Sequence, residues 1–162
     1  MSTKTDLIAK FAEMLDGPLT LQKAIAVAVV AHGGQEDKGG NAYIRHPLRV
    51  MEKLDTEDEM VCGIMHDVVE DTDITLNDLE VLGFTMSQIK VINALSKVKG
   101  QPHEEYISEI EKSPLATKIK ILDMKDNTQL HRLKNITLTE KDQKRYQRYI
   151  HDLHRLGGLK RD

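Results

Sequence analysis

A chain of 162 residues, 40% hydrophobic and 30% charged, suits one domain with a core of its own, built mostly from aliphatic residues since there is no Trp and only two Phe. The net charge of −3 argues against a general nucleic-acid binder, no apolar run reaches membrane-spanning length, and the single cysteine, Cys62, excludes an internal disulfide. The N-terminal stretch has no signal-peptide h-region, so a cytoplasmic, reducing setting and a monomer or small homo-oligomer are expected.

Leu7, Ile8, Phe11, Met14 and Leu15 are spaced for an amphipathic helix over Asp6 to Leu15, which Gly17 and Pro18 stop. Thr20 caps the next predicted helix, which runs to about His32 and ends at Gly33 and Gly34. GGQEDKGGNA, Gly33 to Ala42, is the most loop-like stretch. Pro47 suits a first helical turn, which places His46 at the mouth of a helix reaching about Leu54. A helix from about Glu57 to Thr72 then carries VCGIMHDVVEDT, Val61 to Thr72. Thr75 with Asp78, Thr85 with Gln88 and Thr139 with Asp142 have capping-box spacing. Ser113 and Pro114 open a helix to about Leu133, and the last helix carries a stripe of Tyr146, Tyr149, Ile150, Leu153 and Leu156 up to Gly157. With no β-alternation, the expected fold is all-α, a single domain over residues 1–162.

His66, Asp67, Glu70 and Asp71 put four groups able to bind a metal or move a proton within six residues, between apolar neighbours. Burying such groups is costly unless a metal or partner satisfies them. On a continuous helix His66 and Glu70, like Asp67 and Asp71, are i,i+4 neighbours. His46 at a helix mouth and Asp123, set between Leu122 and Met124, are the other candidate ligands, and Asn127 lies one turn beyond Asp123. Two imidazole nitrogens and two carboxylate oxygens without a thiolate suit Mn, Fe, Zn or another borderline-to-hard divalent ion. Such an ion lowers the pKa of bound water, and Glu70 and Asp71 are placed to orient or deprotonate it. Taken singly, each signal has a bland reading: a histidine at a helix start is usually a cap, and an HD dipeptide is common by chance. His32, His103, His131, His151 and His154 read as structural or exposed, and Cys62 as core.

The ordered combination is more specific. AHGGQ at Ala31 to Gln35, AYIRHPLRV at Ala42 to Val50, HDVVEDT at His66 to Thr72 and KILDMKDN at Lys120 to Asn127 together resemble the HD-domain phosphohydrolases. Within them the chain is most similar to the small stand-alone hydrolases of the RelA/SpoT type, over about Leu21 to Leu156. The resemblance implies an all-α HD fold and one Mn²⁺ held by His46, His66, Asp67 and Asp123. It implies that Glu70 and Asp71 handle the nucleophilic water and that Asn127 supports the site. It also implies substrate contacts from Lys38, Tyr43, Lys97 or Lys99, Arg145 and Tyr149. The implied reaction removes the 3′-pyrophosphate from ppGpp or pppGpp, leaving GDP or GTP. One departure bears on specificity. The family's loop carries two arginines before its lysine, one of them against the nucleobase; here Glu36 and Asp37 precede Lys38. A carboxylate cannot replace a stacked guanidinium, so (p)ppApp, NADPH or a nucleoside monophosphate are alternative substrates. A nucleotide sensor without turnover is the non-enzymatic alternative, against which the complete ligand and acid–base set speaks.

Overall fold

The computed structural model describes residues 13–129 and 137–159. Among them the chain is helices and turns without a strand; Glu36 and Ala42 form an isolated antiparallel bridge. The all-α expectation holds. The helix expected over Asp6 to Leu15 lies largely outside the described residues; the helix expected to reach about Leu133 ends earlier, at Asn127, with Thr128 at its cap.

Threonine and serine caps set most of the helix starts. Thr20 accepts from the Lys23 amide to open α1, Leu21–Ala31. α2, Arg45–Met51, begins two residues before Pro47, so His46 and Pro47 both lie in its first turn. A capping box of Thr56 and Glu59, which the sequence analysis did not single out, opens α3, Glu57–Ile64. α4, Val68–Asp71, follows after a turn. The boxes of Thr75 with Asp78 and Thr85 with Gln88 open α5, Leu76–Val81, and α6, Met86–Leu95. α7, His103–Glu111, was not anticipated as a separate element. α8, Pro114–Asn127, has Ser113 at its cap and Pro114 in the first turn, and α9, Glu140–Arg155, opens on the Thr139–Asp142 box. Gly157 adopts φ +79° after α9, a left-handed conformation that glycine enters without the Cβ penalty.

α3 is the central element. Its residues Val61, Cys62, Gly63 and Ile64 are all buried. Val61 and Ile64 join α1, α5 and α6 in one apolar cluster around Ala28, Leu79 and Ile92. Cys62 joins a second cluster of α2, α6, α7 and α8 around Val50, Ile107 and Ile119. Gly63 is where α2 comes closest: a Cβ there would stand 2.4 Å from Leu54 Cδ1 and 3.5 Å from the Met51 Cα. α2 also packs on α8, and that pairing brings His46 opposite the polar face of α8.

One expectation is corrected. The run from Glu57 to Thr72 is not a continuous helix; α3 stops at Ile64 and α4 starts at Val68, with Met65, His66 and Asp67 in a turn between them. The Gly63 carbonyl, which in a longer helix would accept from the Asp67 amide, lies 2.7 Å from His66 Nδ1 instead. A side-chain donor competes with the backbone for that acceptor and ends the helix.

Candidate metal and substrate site

The turn after α3 matters because neighbouring residues on a regular helix point about 100° apart. In the turn, His66 Nε2 and Asp67 Oδ2 come within 3.0 Å of each other. From the mouth of α2, His46 Nε2 reaches to 3.2 Å from His66 Nε2 and 3.5 Å from Asp67 Oδ2. From α8, Asp123 Oδ1 lies 3.0 Å from His46 Nε2 and 3.6 Å from His66 Nε2. His46, His66 and Asp123 are buried, with 2–4% of their surface exposed. Their three ligating atoms and that of Asp67 all lie within 4.8 Å of one another.

Both imidazoles have their other nitrogen engaged. His66 Nδ1 faces the Gly63 carbonyl and His46 Nδ1 stands 2.6 Å from Asp126 Oδ2, acceptors that require Nδ1–H as donor. In the neutral rings both Nε2 lone pairs therefore face each other and two carboxylate oxygens, an arrangement that demands a cation. Atoms bound about 2.0–2.2 Å from a common ion stand roughly 3.0–3.5 Å apart. The separations here have that size, so the residues present fit a divalent ion. The same field acts on protons. Burial alone would depress His46, but hydrogen bonding to Asp123, Asp126 and Asp67 overrides it and pushes the imidazole up to about 11. His66 is likewise pushed up to about 9, burial being outweighed by Asp67 and Asp123. The two histidines hold Asp67 far below the usual carboxylate range despite its burial. Lys120 does the same for Asp123, helped by both histidines.

Asp67 and Asp123 are held from outside the cluster as well. The Tyr43 hydroxyl donates to Asp67 Oδ2 at 2.5 Å. Lys120 Nζ lies 2.8 Å from Asp123 Oδ2, and Asn127 Nδ2 donates to Asp123 Oδ1 at 2.7 Å. Residues 120, 123 and 127 are at i,i+3 and i,i+4 spacing, so one stripe of α8 supplies a cation, a candidate ligand and its brace.

The cluster opens into a cavity of about 420 Å³. Glu70 and Asp71 stand at its mouth, with Arg145, Tyr146 and Tyr149 of α9 and Lys38 of the 33–42 loop on its walls. Glu70 Oε1 accepts from the Lys97 amide at 2.6 Å. Desolvation raises the Glu70 carboxyl above its ordinary value, and burial together with the charge of Asp67 raises Asp71. Lys38 and Arg145 share one partner, the buried Asp142: Arg145 Nη2 donates to it at 2.8 Å and Lys38 pairs with it directly. Lys97 and Lys99 line a neighbouring depression that meets Glu70 rather than the main cavity.

Three charged residues escaped sequence reasoning. Lys120 and Arg49 line the cavity, and Asp126 is fully buried beneath His46. Helical spacing from Asp123 and His46 could have flagged all three. His32, read as structural or exposed, is buried under Tyr43 with its ring centroid 5.1 Å away, and its Nε2 has no hydrogen-bond partner among the described residues. Asp37 is absorbed by its own turn, where Oδ1 accepts from the amides of Gly39 and Asn41 at 2.8 and 2.9 Å. Glu36 is exposed on the cavity wall.

No family model matches the chain. Among curated proteins it is 30% identical over 141 residues to a probable guanosine-3′,5′-bis(diphosphate) 3′-pyrophosphohydrolase of Synechocystis, covering 81% of this chain and 19% of that protein. It is 39% identical over 83 residues to the bifunctional (p)ppGpp synthase/hydrolase SpoT of Escherichia coli, covering 48% and 12%. The chain thus spans less than a fifth of the length of these relatives. A solved structure of a metazoan orthologue of SpoT, described as hydrolysing ppGpp, matches with a TM-score of 0.70 at 23% identity over 84% of each chain, a likeness of fold. In sequence and in helical fold the chain resembles the RelA/SpoT-type hydrolases.

Proposed function

We propose that this chain is a metal-dependent (p)ppGpp 3′-pyrophosphohydrolase using Mn²⁺ held by His46, His66, Asp67 and Asp123. The observation that carries this reading is the convergence of those four ligating atoms in a cavity also lined by Glu70, Asp71 and four cations, Lys38, Arg49, Lys120 and Arg145. The cavity is of the size that encloses small-molecule ligands. A divalent ion bound there supplies an acidified water and offsets phosphoryl charge. Glu70 and Asp71, whose raised carboxyls sit nearer neutrality, orient the attacking water and take its proton. The water oxygen joins the 3′-linked phosphorus, the bond from that phosphorus to the 3′ oxygen breaks to release pyrophosphate, and the 3′ oxygen leaves as a hydroxyl by taking up the proton that the carboxylates removed from the water. Asn127 and Lys120 keep Asp123 aimed, and Tyr43 does the same for Asp67. Lys38 and Arg145 meet the phosphates with Tyr149 beside them, and Lys97 or Lys99 flanks the entrance beyond Glu70.

Glu36 supports a second reading in which the base is not guanine, since an acidic side chain stands where the family places a stacking arginine. A panel of ppGpp, pppGpp, ppApp, GTP and NADPH with Mn²⁺, scored by product, tests both. Pyrophosphate from the guanosine alarmones supports the first reading. Pyrophosphate from ppApp alone, or orthophosphate from NADPH, supports the second. A panel without turnover removes the enzymatic reading.

A further inference from the structure

Asp126 lies outside the four-residue cluster and is fully buried, with 0% of its surface exposed. An acidic side chain so placed is costly unless charge and hydrogen bonds compensate it. Among its contacts, three short ones to described residues lead in two directions. Asp126 Oδ2 is 2.6 Å from His46 Nδ1. Arg49 donates from Nε to Oδ1 at 2.9 Å and from Nη2 to Oδ2 at 3.0 Å, the two-pronged pairing that fixes both the position and the plane of a carboxylate. His46 and Arg49 lie one turn apart on α2, while Asp126 comes from α8, so the three form a clamp between the helices that bring His46 and Asp123 together. The two-pronged guanidinium pairing is the geometry of a carboxylate, so the support that reaches His46 Nδ1 carries the charge that Arg49 balances.

A plain ion pair joining α2 to α8 would need Arg49 and Asp126 alone. Here the same carboxylate also takes the one nitrogen of His46 that does not face the cluster. Hydrogen bonding there holds the proton on Nδ1, leaves the Nε2 lone pair free, and makes that lone pair a stronger donor. The corresponding partner of His66 is a neutral carbonyl, that of Gly63, so the two histidines are supported unequally.

We propose that Asp126 is a positioning residue for the metal site, acting through His46, and that Arg49 acts through Asp126 by fixing its plane. The inference rests on the metal-site reading above and adds to it an anionic support on one histidine only.

The test is Mn²⁺ affinity of the full chain, measured by competition with a metallochromic chelator, for wild type, Asp126→Asn, Arg49→Gln and the double variant. Removing an outer partner of this kind weakens a metal by about 10–100-fold. Asp126→Asn is expected to show that loss and Arg49→Gln a smaller one. If the arginine acts on the ion through Asp126, the double variant should bind no more weakly than Asp126→Asn. With ¹⁵N-histidine and Zn²⁺ as a diamagnetic probe, the His46 Nδ1 resonance should move in Asp126→Asn while that of His66 stays. Wild-type binding matched by Asp126→Asn, or additive losses in the double variant, overturns the inference and leaves the metal site standing. Failure of the wild type to bind either ion overturns both. Should Asp126→Asn not fold, Arg49→Gln decides: an unmoved His46 resonance and unchanged affinity overturn the inference.

Discussion

Glu70 and Arg145 separate chemistry from binding at single positions. Glu70 is not in the four-atom cluster, although its carboxylate comes within 4.8 Å of those of Asp67 and Asp71, and it is latched by the Lys97 amide at 2.6 Å. Glu70→Gln is therefore expected to keep the metal and lose about 10²–10⁴-fold in kcat, the usual worth of a positioned base; metal content by atomic absorption beside turnover checks this. Loss of the metal with full activity on reconstitution would make Glu70 a structural support. Arg145 meets the cavity while bonded to the buried Asp142, so Arg145→Ala should raise KM for ppGpp by about 10-fold or more, the value of a charge-assisted bond, without changing metal content. An unaltered KM places the phosphates elsewhere. Glu36 and Asp37 were paired as departures from the family loop, yet they differ physically. Asp37→Arg would break the turn that its carboxylate ties, whereas Glu36 has no such duty. Glu36→Arg alone should improve kcat/KM for ppGpp over ppApp if base stacking is what this loop lacks, as paired substrate kinetics would show.

At the scale of elements, the break between α3 and α4 governs the site. Gly63 serves it twice: the missing Cβ lets α2 approach, and the carbonyl takes His66 Nδ1. Gly63→Ala adds a methyl 2.4 Å from Leu54 Cδ1, inside a core where Leu54 is 4% exposed. Overpacking costs about 1–3 kcal/mol, offset by roughly 1 kcal/mol of helix propensity. A net loss of about 1 kcal/mol, or about 2–4 °C in Tm by calorimetry, is expected. A variant as stable as the wild type would show that α2 has room to yield. Three of the four capping boxes among the described residues, by contrast, were legible as residue pairs because a cap is local: threonine meets an amide three residues on.

For the whole molecule, the cluster joins α2, α8 and the turn after α3, so an ion there binds only the folded chain. Ligand binding to the native state alone stabilises it by about 2.7 kcal/mol at a hundredfold excess over Kd. Chelation should accordingly lower Tm by about 5–10 °C, and Mn²⁺ should restore it. Asp123→Ala should abolish the metal-dependent part of that shift in differential scanning fluorimetry. A Tm indifferent to chelator and to Mn²⁺ would remove the metal from its proposed role.

Periodicity, caps and glycine stops determined the helical class and most helix starts, because these depend on contacts within one turn of the chain. The four candidate ligands were legible for a similar reason: histidines and aspartates between apolar neighbours need compensation wherever they are buried. What only the tertiary structure decided is what depends on distant residues. The motif helix ends at Ile64 because a side chain takes a backbone acceptor, which apolar spacing does not record. Tyr43, expected at the substrate, lines the cavity and also donates to Asp67; Lys97 and Lys99 open onto a neighbouring depression; Asp126, unremarkable in KILDMKDN, is buried under a histidine 80 residues earlier. Helical spacing puts Asp126 one turn from Asp123, but only the packing of α2 against α8 decides that its carboxylate meets His46.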